Sequence, residues 1–159
     1  MKDKLNMTDS ISNLKSKIRN FLALHSTLTL ATVSPAGEPM AASLFFAEDA
    51  ALNLYWVSGP KSRHSQNLQA NLLAAVTIQN ATWSWMEIAG VQMEGEAYAV
   101  RAGAEWQAAW KLYLAKFPFV REFEAEVHRS NFYQFIPRWA RWIDNAQGFG
   151  HKEELKFNR

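Results

Sequence analysis

Cysteine is absent from the 159 residues. That excludes disulfides, thiolate metal sites and cysteine nucleophiles together, and it is compatible with a reducing compartment. A large charge of one sign is missing too. The formal net charge is +2, without the basic stripe a nucleic-acid binder carries. No apolar run approaches the roughly 18 residues that span a bilayer. The opening "MKDKLNMTDSISNL" has charges but no apolar stretch after them, so it does not read as a secretory signal. The expectation is a cytoplasmic chain that binds neither nucleic acid nor membrane. The usual catalytic spacings are also absent. His25, His64, His128 and His151 form no HExxH or i, i+4 pair, so no metal site is expected. There is no GxSxG elbow and no two-glycine phosphate loop.

What is present is globular. The apolar fraction is 48% and the charged fraction 20%, and the length fits one domain with a sizeable core. Seven tryptophans and ten phenylalanines suggest a thick core, a ligand pocket, an oligomer interface, or all three. No repeat, linker or low-complexity tract divides the chain.

Ile11, Leu14, Ile18, Phe21 and Leu22 recur at helical spacing and predict an amphipathic helix, capped by Thr8, Asp9 or Ser10. Residues 27–33, 40–47 and 52–58 read as three strands joined by short links, an antiparallel meander. A short helix over 62–70 and a fourth strand over 71–79 follow. The long strand 88–102 contains Gly90 and Gly95, which mark bends or bulges. Trp106, Ala109, Trp110, Tyr113, Leu114 and Phe117 keep a helical period, broken at Pro118, and a second helical piece runs to about residue 127. Residues 131–144 alternate as a last strand. Pro137 within it predicts an edge or a bulge. Six strands with short links and interspersed helices suggest a small antiparallel barrel.

The stretch "SGPKSRHSQNL", 58–68, carries the chemistry. Gly59-Pro60 makes a turn and Ser62 a helix N-cap, yet Lys61, Arg63 and His64 crowd the helix start. A cation at that end costs roughly 0.3–1 kcal/mol against the helix dipole. A strand end, a tight turn and a helix N-terminus together make an anion site, where Arg63 would fork onto phosphate oxygens and Lys61 act as a point charge. From spacing alone, a solvated basic helix start fits equally well. Glu94 and Glu96 share a strand face and read as a solvent-facing stripe rather than a catalytic pair. The tryptophan pairs Trp83/Trp85 and Trp139/Trp142 suit a planar ligand. For any single tryptophan, core or dimer packing is the favoured role.

"LYWVSGPKSRHSQNL" after a three-strand meander, followed by a strand and "GVQMEGEA", resembles the pyridoxamine 5'-phosphate oxidase-like FMN-binding split barrels over about residues 20–155. "KFPFV" and "DNAQGFGHK" narrow the resemblance to the YhbP-like bacterial subgroup. The resemblance implies a mainly β, six-stranded antiparallel split barrel with flanking helices, forming a homodimer with FMN at the subunit interface. It divides the chain 1–159 into an N-terminal helix, 1–25, and a barrel, 26–155, with a helical insertion over about 103–127. It places Val57, Ser58, Lys61, Ser62, Arg63 and His64 at the cofactor phosphate. Ala42, Ser43 and Gln92 fall along the ribityl chain and ring, and Trp142 and Phe149, with Trp139, in an aromatic seam. Ala42 stands where the classical oxidases carry a phosphate-binding arginine, and their substrate-phosphate Arg/His set has no match in "IPRWARWIDNAQGFGHK". The implied function is an FMN-dependent oxidoreductase acting on a small-molecule redox substrate, with NAD(P)H as a possible reductant. A non-catalytic flavin protein, a haem protein with His151 as axial ligand, and an F420 binder are the alternatives.

Overall fold

Where apolar and polar residues alternate, a strand turns one face in and one out. In the computed structural model, Leu28 and Leu30 of β1 (Thr27–Val33) are buried while Thr27, Ala31 and Val33 are exposed. The structure describes residues 2–158, with side chains from Ser10 onward.

The strands form a single antiparallel sheet in the order β2-β1-β5-β6-β7-β4-β3, with β8 also paired to β7, curled into a half-barrel. The remaining ranges are β2 Pro39–Phe45, β3 Ala47–Glu48, β4 Leu54–Ser58, β5 Leu73–Gln79, β6 Ala89–Ala99, β7 Asn131–Asp144 and β8 Lys152–Lys156. Four helices flank it: α1 Lys2–Ala23, α2 Arg63–Ala70, α3 Ala104–Lys116 and α4 Glu124–His128. The mainly β fold expected from sequence is therefore present, with two more strands than the six expected. β3 is two residues long. In β8, the run Lys-Glu-Glu-Leu-Lys buries only Leu155, so neither strand carries an apolar alternation. α1 begins before the expected cap at Thr8–Ser10, which lies within the helix.

Leu14, Ile18 and Leu22 of α1 enter the concave face with Leu30, Trp56, Val76, Met93 and Phe135. A second core forms where α3 and α4 cover β4 and β7. It joins Tyr55, Ala109, Tyr113, Phe117, Val127 and Phe132. Lys116 ties the two layers. Its Nζ donates to Glu48 Oε2 at 2.6 Å and to Leu22 O at 3.0 Å, and it lies 4.1 Å from the Phe46 ring centroid.

β7 is not an edge strand, because it pairs with β6, β4 and β8. Pro137 is accommodated by a bulge. Glu94 faces Trp139 but Gly95 faces Pro137, so Arg138 is the extra residue. On the other side of β7, β4 pairs with residues 131–135 and β8 with 139–143. The missing proline N–H thus falls where both ladders are interrupted. Gly95 makes the bulge possible, since a Cβ there would stand 2.1 Å from Ile136 O. One inserted residue reverses which side chains face inward. Tyr133 and Phe135 point into the first core before the bulge, and Ala140 and Trp142 after it.

Candidate functional site

The expected phosphate-binding residues meet at the β4–α2 turn. Ser62 is the N-cap of α2 and accepts from Ser65 N at 3.4 Å. Its hydroxyl also donates to Ser65 Oγ at 2.8 Å. His64 turns inward and is buried, with Nε2 2.7 Å from Ser58 Oγ and 3.0 Å from Ser62 Oγ. Burial lowers its pKa from the ordinary value of 6.5, so near neutral pH it adds no cation to the helix start. Lys61 and Arg63 stay exposed. Arg63 Nη2 donates to Glu38 Oε2 at 3.1 Å, across to the β1–β2 turn. The crowding in the sequence is thus relieved twice, by a buried neutral imidazole and by a surface ion pair. Val57, just before Ser58, packs toward the second core.

Asn67 Nδ2 donates to buried Thr32 Oγ1 at 3.0 Å and fixes α2 against β1. Thr32 has the parity of buried Leu28 and Leu30, so this bond seats α2 on the inner side of β1, while Arg63 reaches out to Glu38 in the β1–β2 turn. Cross-strand partners share a face, and the registers align Ser43, Thr29, Thr77, Gln92, Arg141 and Glu154 in one row across five strand pairs. The next row holds Ala41, Ala31, Ala75, Glu94 and Trp139. Their small side chains leave two adjoining hollows. One, of about 380 Å³, reaches from Pro39, next to Glu38, to Ala31, Ala75 and Trp139. The other, of about 430 Å³, continues to Thr29, Gln92 and Arg141. Arg141 spans Trp139, with its guanidinium carbon 4.8 Å from the ring centroid, and donates to Glu154 Oε1 at 2.7 Å. The first hollow ends at Pro39, the residue after Glu38, which its ion pair with Arg63 ties to the helix start.

Gln92 lines the second hollow, and Ser43 stands in the same row, paired with Thr29. Ala42, paired with Leu30, has the opposite strand parity and turns to the other face. Trp142 is not brought to the site. The Arg138 bulge turns it into the core, where it meets Phe21 edge-on at 5.0 Å. Trp139 takes the outward place instead. Phe149 is 86% exposed, in a glycine turn against Trp85. Sequence reasoning missed Thr29, Thr77 and Arg141, whose only signal was a polar residue at alternate positions of otherwise apolar strands.

The other three histidines line neither hollow. His25 Nδ1 lies 2.7 Å from Phe21 O, and its ring stacks on Phe21 at 3.9 Å. His128 stacks on Trp106 at 4.5 Å. His151 Nε2 is buried without a hydrogen-bond partner, 3.6 Å from Glu153 Oε1. Lys17 donates to that oxygen at 2.7 Å and holds the Glu153 carboxyl below its usual range. Among the described residues, no group of three or more His, Asp and Glu side chains could hold a metal ion, and no helix is long and apolar enough to cross a membrane.

An antiparallel half-barrel with a cationic strand–turn–helix corner defines a split-barrel protein. The chain belongs to the pyridoxamine 5'-phosphate oxidase family, whose model matches residues 14–143. It is similar to the UPF0306 protein YhbP of Salmonella paratyphi A, with 33% identity over 117 residues, 73% of this chain and 76% of the relative. Its fold is shared by a haem-binding protein from Mycobacterium smegmatis, at a TM-score of 0.73 and 18% identity over 89% of this chain and 57% of that one. HutZ, a haem storage protein from Vibrio cholerae, also shares it, at 0.67 and 17% identity over 77% and 88%.

Proposed function

We propose that the protein binds FMN, with the phosphate at the start of α2 and the ring along the convex face, and works as an FMN-dependent oxidoreductase in a homodimer. One observation carries this reading: the Arg63–Glu38 ion pair brings the cationic helix start to the turn whose next residue, Pro39, lines the first hollow. An elongated ligand with an anionic end and a planar end suits that arrangement. Lys61 and Arg63, the N–H groups of the first helical turn and the Ser58 and Ser62 hydroxyls would receive the phosphate. Glu38 would yield Arg63 to it. Gln92, Thr29 and Thr77 supply hydrogen-bonding groups for the polar edge of the ring, and Trp139 an apolar wall.

When bound, FMN supplies the redox chemistry, hydride acceptance from a reductant such as NAD(P)H and delivery to a small-molecule acceptor. The chain's part is to bind, orient and shield. No side chain of the site is assigned as a proton donor or acceptor.

Mass identification of the small molecule that co-purifies with the protein tests the reading. FMN supports it, and reduction by NADH or NADPH followed by reoxidation separates an enzyme from a flavin carrier. Haem or F420 in its place, or a preparation that takes up no FMN, overturns it. Haem is the less favoured ligand on geometry, because no histidine lines either hollow of the convex face.

A further inference from the structure

Behind the β4–α2 corner, Ser58, Ser62, Ser65 and His64 share one hydrogen-bond cluster. A serine hydroxyl has one proton and two lone pairs. Ser62 Oγ accepts from Ser65 N at 3.4 Å and gives its proton to Ser65 Oγ at 2.8 Å. Its remaining lone pair meets His64 Nε2 at 3.0 Å. An unprotonated Nε2 would set lone pair against lone pair there, so Nε2 carries the ring proton and donates it. Ser58 Oγ, 2.7 Å from the same nitrogen, is a second acceptor of that N–H. The Ser58 hydroxyl proton then has no acceptor among the described residues. His64 Nδ1 makes no hydrogen bond and is not sealed from solvent.

No carboxylate faces the ring. α2 packs on β1, β2 and β6. β1 and β2 contain no titratable side chain. Glu94, Glu96 and Tyr98 of β6 have the outward parity of Gln92, and Tyr55 of β4 lies in the second core. The Tyr133 hydroxyl of β7 accepts from Asn131 Nδ2. Glu38 is taken by Arg63, and Lys61 and Arg63 add only positive charge. In the free protein, burial keeps the imidazole neutral and the two cations oppose a second proton. A phosphate monoester, with nearly two negative charges at neutral pH, reverses the local field.

We propose that His64 couples phosphate binding to proton uptake: Ser58 donates its free hydroxyl proton to the anion, and Nδ1 takes a second proton from solvent, so that an imidazolium stands behind the bound phosphate. His64 is a positioning residue that acts through Ser58 rather than a ligand of the phosphate. This rests on the phosphate placement proposed above.

Nitrogen NMR of the free protein reads the tautomer, with the proton expected on Nε2 and Nδ1 bare. On saturation with FMN both ring nitrogens are expected to carry protons. Calorimetry at about pH 7 in two buffers of different ionisation enthalpy is expected to show proton uptake on FMN binding to the wild type and none for His64→Gln. Wild-type affinity is expected to rise about threefold from about pH 8 to about pH 7, against a flat profile for the variant. The NMR and the wild-type calorimetry decide the matter even if the variant fails to fold. A proton on Nδ1 in the free protein, FMN binding without uptake, or equal uptake by the variant overturns this inference and leaves the FMN reading standing. A protein that binds no FMN overturns both.

Discussion

Ser58 Oγ and His64 Nε2 stand 2.7 Å apart, joining the last residue of β4 to the first turn of α2. The bond explains how a helix start with three basic residues is tolerated. One of them is folded inward as a hydrogen-bonded, uncharged ring.

This has a consequence for pH. Burial lowers the His64 pKa below its unfolded value of 6.5, so at mildly acid pH the unfolded chain binds the extra proton. Stability is fully present above 6.5 and is lost as pH falls toward the folded pKa. Thermal melts at about pH 7.5 and about pH 5.5 should show a larger drop for the wild type than for His64→Gln. Equal drops would remove His64 as the cause.

Glu38 competes for Arg63. Arg63→Ala is expected to weaken FMN binding by about 1–3 kcal/mol. Glu38→Gln should tighten it by up to about 1 kcal/mol, the scale of an exposed ion pair. Titration by quenching of flavin fluorescence measures both. If Glu38→Gln weakens binding instead, Glu38 is part of the site rather than a competitor.

Gly95→Ala places a Cβ against the Ile136 carbonyl, a backbone group with no rotamer to retreat into. The variant should lose at least about 2 kcal/mol of stability in urea unfolding. A neutral result would mean that the bulge relaxes freely.

Trp142→Ala should cost about 3–5 kcal/mol as a core truncation and leave FMN affinity of the folded protein unchanged. A stable variant with lost affinity would return Trp142 to the ligand site.

Lys116 and Glu48 are largely buried, with side-chain exposures of 16% and 13%. Lys116→Met strands the Glu48 carboxylate and should cost about 3–5 kcal/mol, whereas replacing both partners by apolar residues should cost much less. Chemical denaturation of the two variants makes the comparison.

Much of this was legible in the residues. The alternation in "TLTLATV", the helical period from Trp106 to Phe117 and the Gly-Pro turn before Ser62 each matched one local structure. The strand Lys152–Lys156 was not legible, because four of its five residues are charged and its pairing comes from the free edge of β7. The ion pair of Arg63 with Glu38 joins residues 25 apart, and no local spacing announces it.

The aromatic pair on β7 divides the two kinds of information most clearly. The sequence by itself determined that residues 131–144 form a strand, that Pro137 disturbs it, and that serine, lysine, arginine and histidine gather at a helix start, because propensity, period and turn chemistry act over a few residues. Only the tertiary structure decided which tryptophan faces out. The carbonyl of Ile136 approaches Gly95 of another strand, Arg138 becomes the extra residue, and the parity reverses. That places Trp139 on the convex face and Trp142 in the core.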